Sequence, residues 1–147
     1  MRQLILLALV FLSYTCGAQA NWKPITAAIS FKIKNAGITV TGRFSNFKGD
    51  LQFSPDKLAA SRLQGSVEVG TINTSNNMRD KDLQHEKYFN SAKYKMIELT
   101  STRLYKKGTQ YAGMFKVTMK GVTKEMEIPF TFVQKGSDAT FSATFTI

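Results

Sequence analysis

Apolar and polar side chains alternate along most of the chain after Asn21. Phe115, Val117 and Met119 are separated by Lys116 and Thr118, for example. The same period of two recurs in stretches that begin near residues 29, 40, 67, 97, 126 and 141. Successive side chains of a β-strand point to opposite faces, so this pattern predicts strands with one apolar and one solvated face.

Turn-forming residues separate these stretches. Gly37, Gly49, Gly108 and Gly136 each lie within two residues of an Asn, Asp or Lys, as in hairpin turns that need positive φ. We therefore predict about eight strands, at residues 27–34, 38–46, 49–54, 62–70, 95–105, 110–119, 124–134 and 139–147. Many short strands with turn signals and little helix predict an all-β fold, either a sandwich or a closed barrel.

Residues 73–94 break the alternation and are mostly polar. A structureless connection of this length is uncommon inside a compact domain. We predict a short helix over residues 77–85, capped by Ser75 or Asn76. Long connections on a β-scaffold often carry binding residues, so this segment is a candidate functional region.

The first twenty residues have the organisation of a secretory signal peptide. Arg2 precedes an unbroken apolar run, residues 4–12, and Ala18-Gln19-Ala20 supplies a small-x-small cleavage site. The run is too short for a transmembrane helix, which needs about 20 residues. We expect cleavage after Ala20 and a periplasmic or secreted protein. Lipid attachment at Cys16, the only cysteine, is the alternative.

Cleavage would leave a single domain at residues 21–147 without cysteine. We expect that domain to be held by its core rather than by disulfides, and to be a monomer or a homodimer. Thiol catalysis is excluded for such a chain. His85 is the only histidine, and its acidic neighbours Asp80, Asp82 and Glu86 read as a polar loop. We predict no metal site, no cofactor and no catalytic constellation, and therefore no enzyme.

The formal net charge is +10, from 20 Lys and Arg against 10 Asp and Glu. Such an excess favours anionic partners. Lys116 and Lys120 share the polar phase of their strand, opposite to Phe115, which indicates a solvated exterior. Nucleic acid is disfavoured as a partner, because base stacking needs aromatic side chains on the same face as the charge. We therefore interpret the charge as a soluble coat, which would also favour approach to an acidic membrane surface.

Three motifs carry a resemblance to a known family. The first is Thr71-Ile72-Asn73-Thr74, followed by Met78-Arg79-Asp80-Lys81-Asp82-Leu83 and Tyr88-Phe89-Asn90. The second is Gly121-Val122-Thr123-Lys124, and the third is the opening Phe31-Lys32-Ile33-Lys34-Asn35 with Val40-Thr41-Gly42-Arg43-Phe44 and Phe47-Lys48-Gly49. In this order and spacing, over about residues 22–147, they resemble the YceI-like family.

The resemblance implies an antiparallel, lipocalin-like β-barrel that binds a long apolar or amphiphilic molecule, of polyisoprenoid or fatty acyl type, in its lumen. The strand count agrees with such a barrel. Candidate lumen residues are the apolar-face side chains Phe31, Ile33, Phe44, Phe47, Val67, Val69, Leu99, Phe115, Val117, Phe130 and Phe132. A polar gate at the mouth would consist of Thr71, Thr74, Arg79 and Asp80.

Other interpretations remain open. The apolar side chains could form a filled core, and Arg79 and Asp80 could be a salt bridge and helix cap that hold the long loop. The corresponding functions are a stress or surface-interaction protein without a ligand, or an extracytoplasmic polyanion binder.

The chain also departs from the family pattern, with Asp82 in place of His and Lys95 in place of Pro. Because it stops at Ile147, we expect either that the closing C-terminal strand is lacking or that the barrel closes differently.

Overall fold

The alternating segments form a strongly curved antiparallel sheet. The computed structural model describes residues 20–35 and 37–147, so the predicted signal peptide lies outside the described residues except for Ala20. Within these residues there are nine strands: β1 (Asn21–Trp22), β2 (Ile29–Asn35), β3 (Ile38–Phe44), β4 (Lys48–Gln52), β5 (Arg62–Glu68), β6 (Met96–Lys107), β7 (Gln110–Met119), β8 (Val122–Lys135) and β9 (Asp138–Ala143). Single 3-10 turns occupy Leu58–Ala60 and Val69–Thr71, and the helix α1 spans Asn77–Gln84.

The predicted all-β class is confirmed, and the eight predicted strands correspond to β2–β9. Strand β1 was not predicted, because two residues are too few to show alternation. Strand β5 ends at Glu68 rather than at residue 70, because the chain turns into the 3-10 segment there. The predicted helix is one residue shorter than expected, and Asn76 rather than Ser75 is its cap.

Seven strands form one sheet in the order β1-β4-β5-β6-β7-β8-β9. The sheet curls until its two edges approach each other through aromatic side chains. The ring of Trp22 on β1 lies 5.5 Å from that of Phe132 on β8, and the rings of Phe53 and Phe141 are 5.6 Å apart. The predicted barrel is therefore confirmed as a nearly closed one, with ring packing along the seam.

Strands β2 and β3 form a separate two-stranded sheet. A backbone bridge joins this hairpin to the chain before α1. Arg43 N–H donates to the Asn73 carbonyl oxygen, and Asn73 N–H donates to the Arg43 carbonyl oxygen, both at 3.0 Å. A third link follows directly, because Ser45 N–H donates to Thr71 Oγ1 at 2.9 Å. These bonds fix where the hairpin sits against the end of the barrel.

The interior contains two hydrophobic clusters. The first, which we call the Phe53 cluster, lies within the seven-stranded sheet and consists of Phe53, Leu63, Leu104, Phe115, Val117, Ile128 and Phe130 with partly buried neighbours. The second, the Phe44 cluster, lies beneath the hairpin and consists of Phe44, Val67 and Ile72 with Ile29, Phe31, Phe47, Leu83, Phe89 and Ile97 packed against them. The two clusters divide the interior into two halves.

Glycines make room for the rings of the Phe44 cluster. Gly49 and Gly65 are cross-strand partners on β4 and β5, and the Phe47 ring lies over both. A Cβ atom at either glycine would come within 2.8 Å of that ring. Gly42 faces the Phe31 ring in the same way.

In the described part of the chain, no helix has the length and apolar character needed to cross a membrane.

We predict that Phe53→Ala destabilises the protein by about 3–5 kcal/mol, because it removes the centre of a close-packed cluster. The Phe53 side chain is fully buried and touches the rings of Tyr111, Phe130, Phe132 and Phe141. Denaturant unfolding measures the loss. Val133→Ala, at a residue that is 52% exposed, is the control and should change stability by less than about 0.5 kcal/mol. Equal effects of the two variants would contradict this account of the core.

Candidate functional site

The predicted binding segment begins with a capped helix. Asn76 is extended, and its Oδ1 accepts a hydrogen bond from Arg79 N–H at 3.0 Å. Asp80 lies in the first turn of α1, where a carboxylate interacts favourably with the helix dipole. The helix itself buries no residue. Its position therefore depends on the side chains at its N-terminus and on Leu83, which is partly buried against the Phe44 cluster.

Thr74 is the centre of these contacts and is 5% exposed. Its hydroxyl donates to Asp80 Oδ1 at 2.5 Å and accepts from Arg79 Nε at 2.8 Å. Its backbone N–H also donates to Asp80 Oδ1, and its carbonyl oxygen accepts from Arg79 Nη2 at 2.8 Å. A buried hydroxyl thus links a guanidinium to a carboxylate, and three of the four predicted gate residues are brought together.

The fourth predicted gate residue, Thr71, belongs to a different contact. Its hydroxyl donates to the Glu68 carbonyl oxygen at 2.6 Å and accepts from Ser45 N–H. Thr71 therefore links the 3-10 turn to the loop between β3 and β4. The four residues share one structural task, which is to fasten the hairpin and α1 to the barrel end; a role in gating stays a prediction.

A groove of about 500 Å³ opens beside the hairpin. This volume falls in the usual range of small-molecule pockets, about 300–1,000 Å³. Ile29, Phe44 and Phe47 give it apolar walls, and all three belong to the Phe44 cluster. The remaining lining residues are small or polar: Ala27, Ala28, Ser30, Arg43, Ser45 and Asn46.

The predicted lumen residues are divided between the two halves of the interior. Phe44 and Phe47 line the groove, and Phe31 and Val67 pack in the same cluster. The five others that pack together lie in the Phe53 cluster: Leu99, Phe115, Val117, Phe130 and Phe132. Val69 is buried at 2% exposure, whereas Ile33 is 39% exposed. It therefore stays a prediction that all eleven residues line a lumen. The groove borders only the half of the interior that contains the Phe44 cluster.

Sequence reasoning missed Arg43 as a site residue. Arg43 alternates with Gly42 and Phe44, and alternation places such a polar residue on the solvated face of its strand. The groove lies at the end of the strand, however, so both Arg43 and the next residue, Phe44, line it. The only available signal was its place within the third motif, where it separates Gly42 from Phe44.

A second polar cluster lies on the outer face of β6 and β8. The carboxylate of Glu127 accepts from the Tyr105 hydroxyl at 2.5 Å and forms an ion pair with the Lys107 ammonium. This ammonium, together with the phenol, lowers the pKa of Glu127. The hydrogen bond to Glu127 in turn raises the pKa of both Tyr105 and Lys107.

Among the described residues, no three His, Cys, Asp or Glu side chains are grouped so that they could hold a metal ion.

The chain also matches the model of a known protein family, in agreement with its motifs and its barrel fold. Residues 21–147 match the model of the family described as the YceI-like domain. The chain belongs to the YceI-like family. The predicted resemblance is therefore confirmed over nearly all of the described residues.

Relatives of this YceI-like chain include two UPF0312 proteins. A UPF0312 protein of Photorhabdus laumondii is 30% identical over 113 residues, which are 76% of this chain and 59% of the relative. A UPF0312 protein of Vibrio vulnificus is 28% identical over 136 residues, 91% of this chain and 72% of the relative. The chain thus spans less than two thirds of the length of the Photorhabdus relative.

Two solved structures share the fold. BcnA of Burkholderia cenocepacia superposes with a TM-score of 0.71 at 24% identity, over 79% of this chain and 72% of that one. The YceI protein of Campylobacter jejuni gives a TM-score of 0.59 at 27% identity, over 69% of this chain and 61% of that one. These similarities support the barrel.

We predict that Thr74→Val loosens the segment that carries α1, because it removes the hydroxyl between Arg79 and Asp80. Loss of such a buried hydrogen-bonded group costs about 1–3 kcal/mol. Thr74→Ser keeps the hydroxyl and is the matched control. Hydrogen exchange should show faster exchange in residues 76–84 for the valine variant, relative to the serine variant. Equal protection in both variants would contradict a positioning role for this hydroxyl.

We predict that Glu127→Gln lowers the pKa of Tyr105 and of Lys107, since both are raised by this carboxylate. In the native protein the contribution of Glu127 is present above its unfolded-state pKa and is lost as the pH falls through its lowered folded-state pKa. The contribution of Lys107 is present at lower pH and is lost as the pH rises through its raised pKa. NMR titration of the Tyr105 ring measures the shift; Glu125→Gln is the control and should leave the Tyr105 titration unchanged.

Proposed function

We propose that this protein binds a long-chain apolar or amphiphilic molecule, of polyisoprenoid or fatty acyl type, in the groove beside the β2–β3 hairpin. The observation that carries the proposal is the groove itself, with a volume of about 500 Å³ and walls of Ile29, Phe44 and Phe47. Each methylene moved from water into such a site contributes about 0.8 kcal/mol. A hydrocarbon chain of moderate length is therefore sufficient for useful affinity.

The contrast between the two halves of the interior supports this location. In the Phe53 half, the Phe53 ring lies 4.8–5.6 Å from four other aromatic rings, so protein side chains occupy the space. In the Phe44 half, the rings of Phe44 and Phe47 border open volume. An apolar ligand would complete the packing there, and no rearrangement of the Phe53 cluster is needed.

The polar end of the ligand would meet Arg43, with Ser30 and Asn46 beside it. Arg79 and Asp80 are less suited to this role, because the Thr74 hydroxyl already bonds to both. Their function in this proposal is to hold Asn73 and thereby the groove wall. A guanidinium at the rim favours a carboxylate or phosphate head group over a neutral one.

The proposal is one of binding without catalysis, which is also what the family resemblance implies.

We further propose that the protein acts in the periplasm or outside the cell. The apolar run and the Ala18-Gln19-Ala20 site in the sequence support that location. N-terminal sequencing of the protein from an extracytoplasmic fraction should give Asn21 as the first residue.

The ligand proposal is tested by filling the groove. Ala28 lines it and is exposed, so Ala28→Trp adds bulk there without removing a core side chain. We expect about a tenfold loss of affinity for a fluorescent long-chain fatty acid, comparable to two methylenes at about 0.8 kcal/mol each. Ala59→Trp, in the exposed 3-10 turn, is the matched control and should bind normally.

Arg43→Gln completes the experiment. It should weaken binding of the fatty acid about tenfold, because a charge-assisted hydrogen bond contributes about 1.5–3 kcal/mol, and leave the corresponding fatty alcohol unaffected. Solvent extraction of the purified protein, followed by mass spectrometry, identifies any bound lipid. No lipid in the extract together with no binding of the fluorescent fatty acid would overturn the proposal and favour a filled barrel without a ligand.

A further inference from the structure

We propose that one end of the barrel docks onto an anionic lipid surface. This end is formed by the loop after α1 and by the turn between β7 and β8. We call it the basic end, and it consists of Lys87, Tyr88, Lys93, Tyr94, Lys120 and Val122. The inference concerns a surface rather than the groove, and it does not require the groove ligand.

Two contacts hold the loop and the turn together. Lys120 Nζ donates to the Glu86 carbonyl oxygen at 2.8 Å, so the turn reaches across to the loop. The Tyr94 ring lies over Gly121, where an added Cβ would come within 2.7 Å of Tyr94 Cε1. The six residues of the basic end are therefore parts of one surface, although they are up to 35 positions apart in sequence.

The turn itself is built around this contact. Met119 and Val122 pair, and the two residues between them, Lys120 and Gly121, have φ of 49° and 74°. A two-residue hairpin turn of this kind normally prefers Asn or Gly at its first position. Lysine in the left-handed region is uncommon and costs conformational energy. In this conformation the Lys120 ammonium reaches the carbonyl oxygens of Glu86 and Lys87 in the loop.

The chemistry of the basic end suits a membrane interface. Tyr88 is 45% exposed and Val122 is 59% exposed, so apolar and amphipathic groups face solvent. The ammonium of Lys87 lies 5.5 Å from the Tyr88 ring centre, and that of Lys93 lies 5.3 Å from the Tyr94 ring centre. Tyrosine rings favour the headgroup level of a bilayer, and neighbouring lysines are attracted to anionic lipid.

Charge complementarity points to the same occupant. Residues 86–95 and 120–124 contain five lysines and one acidic residue, Glu86. A polyanion such as nucleic acid would satisfy the charge but would leave Val122 exposed. A lipid surface accommodates both the lysines and the apolar side chains. It is therefore the partner to which the proposal commits.

The basic end also lies beside the groove. Tyr88 precedes Phe89, whose ring packs edge-on against Phe44 at a centroid distance of 6.0 Å. Phe44 is a wall of the groove. Docking through Tyr88 would bring the groove close to the lipid from which an amphiphile is taken or to which it is delivered.

Co-sedimentation of the mature chain with vesicles tests the inference. We expect binding to vesicles of phosphatidylethanolamine and phosphatidylglycerol, and little binding to phosphatidylcholine alone. The double variant Lys87→Gln/Lys93→Gln should lower the partition coefficient at least about tenfold, at roughly fivefold per lysine. The matched control is Lys106→Gln/Lys135→Gln, which removes the same charge from exposed residues at the other ends of β6 and β8 and should bind as the unaltered chain does.

Equal losses in both double variants, or no binding to anionic vesicles by the unaltered chain, would overturn the proposal. Binding to heparin with the same dependence on Lys87 and Lys93, and no effect of Tyr88→Ser on vesicle binding, would show a polyanion site instead of a membrane site. In the absence of vesicles, Lys87→Gln/Lys93→Gln should bind the fluorescent fatty acid normally, since neither lysine lines the groove, so failure of the groove proposal and failure of this one are distinguishable. Thermal unfolding confirms that each variant is folded.

Discussion

The backbone bridge between Arg43 and Asn73 is the constraint on which the site depends. Strands β2 and β3 share no ladder with the seven-stranded sheet, so the position of this hairpin is set by that bridge and by side-chain packing. Asn73 is held in turn because the next residue, Thr74, is bonded to Arg79 and Asp80. The helix α1 contributes only the partly buried Leu83 to the Phe44 cluster, and the bonds of Arg79 and Asp80 to Thr74 make it an anchor for the wall of the groove. Polar contacts at one end of the barrel thus determine the shape of an apolar site.

Two rings of the Phe44 cluster lie against glycines. Phe47 lies over Gly49 and Gly65, and Phe31 lies over Gly42. A side chain at any of these glycines would displace the ring, since its Cβ would lie closer to the ring than van der Waals contact allows. Phe47, which lines the groove, keeps its place because β4 and β5 carry no side chain at Gly49 and Gly65. In the other half of the interior, the Phe53 ring meets its neighbours directly and leaves the space filled.

Much of the fold could be predicted from the alternation of apolar and polar side chains. A strand with one buried face has an apolar residue at every second position. The polar segment around α1 was likewise visible as a break in the pattern, whereas Lys120, assigned to the polar phase of a strand, lies in the turn between β7 and β8. The site was less predictable. Alternation assigns Arg43 to an outer face, but it does not show that the groove wraps around the end of β3. It also cannot show that Phe53, at the end of β4, is the centre of the core, since that depends on the curvature that brings β8 and β9 across to it. The linkage of Arg79 to Asp80 through Thr74 requires three side chains to converge, which spacing alone does not reveal.

The central claim is that a hydrocarbon chain lies in the Phe44 half of the interior and not in the Phe53 half. NMR of the protein with labelled phenylalanine and isoleucine side chains, in the presence of a spin-labelled fatty acid, tests it directly. The account predicts strong broadening of the signals of Ile29, Phe44 and Phe47, with those of Phe53, Ile128 and Phe141 retained. Broadening centred on Phe53 and Phe141 would contradict it, and so would uniform retention of all signals at saturating ligand.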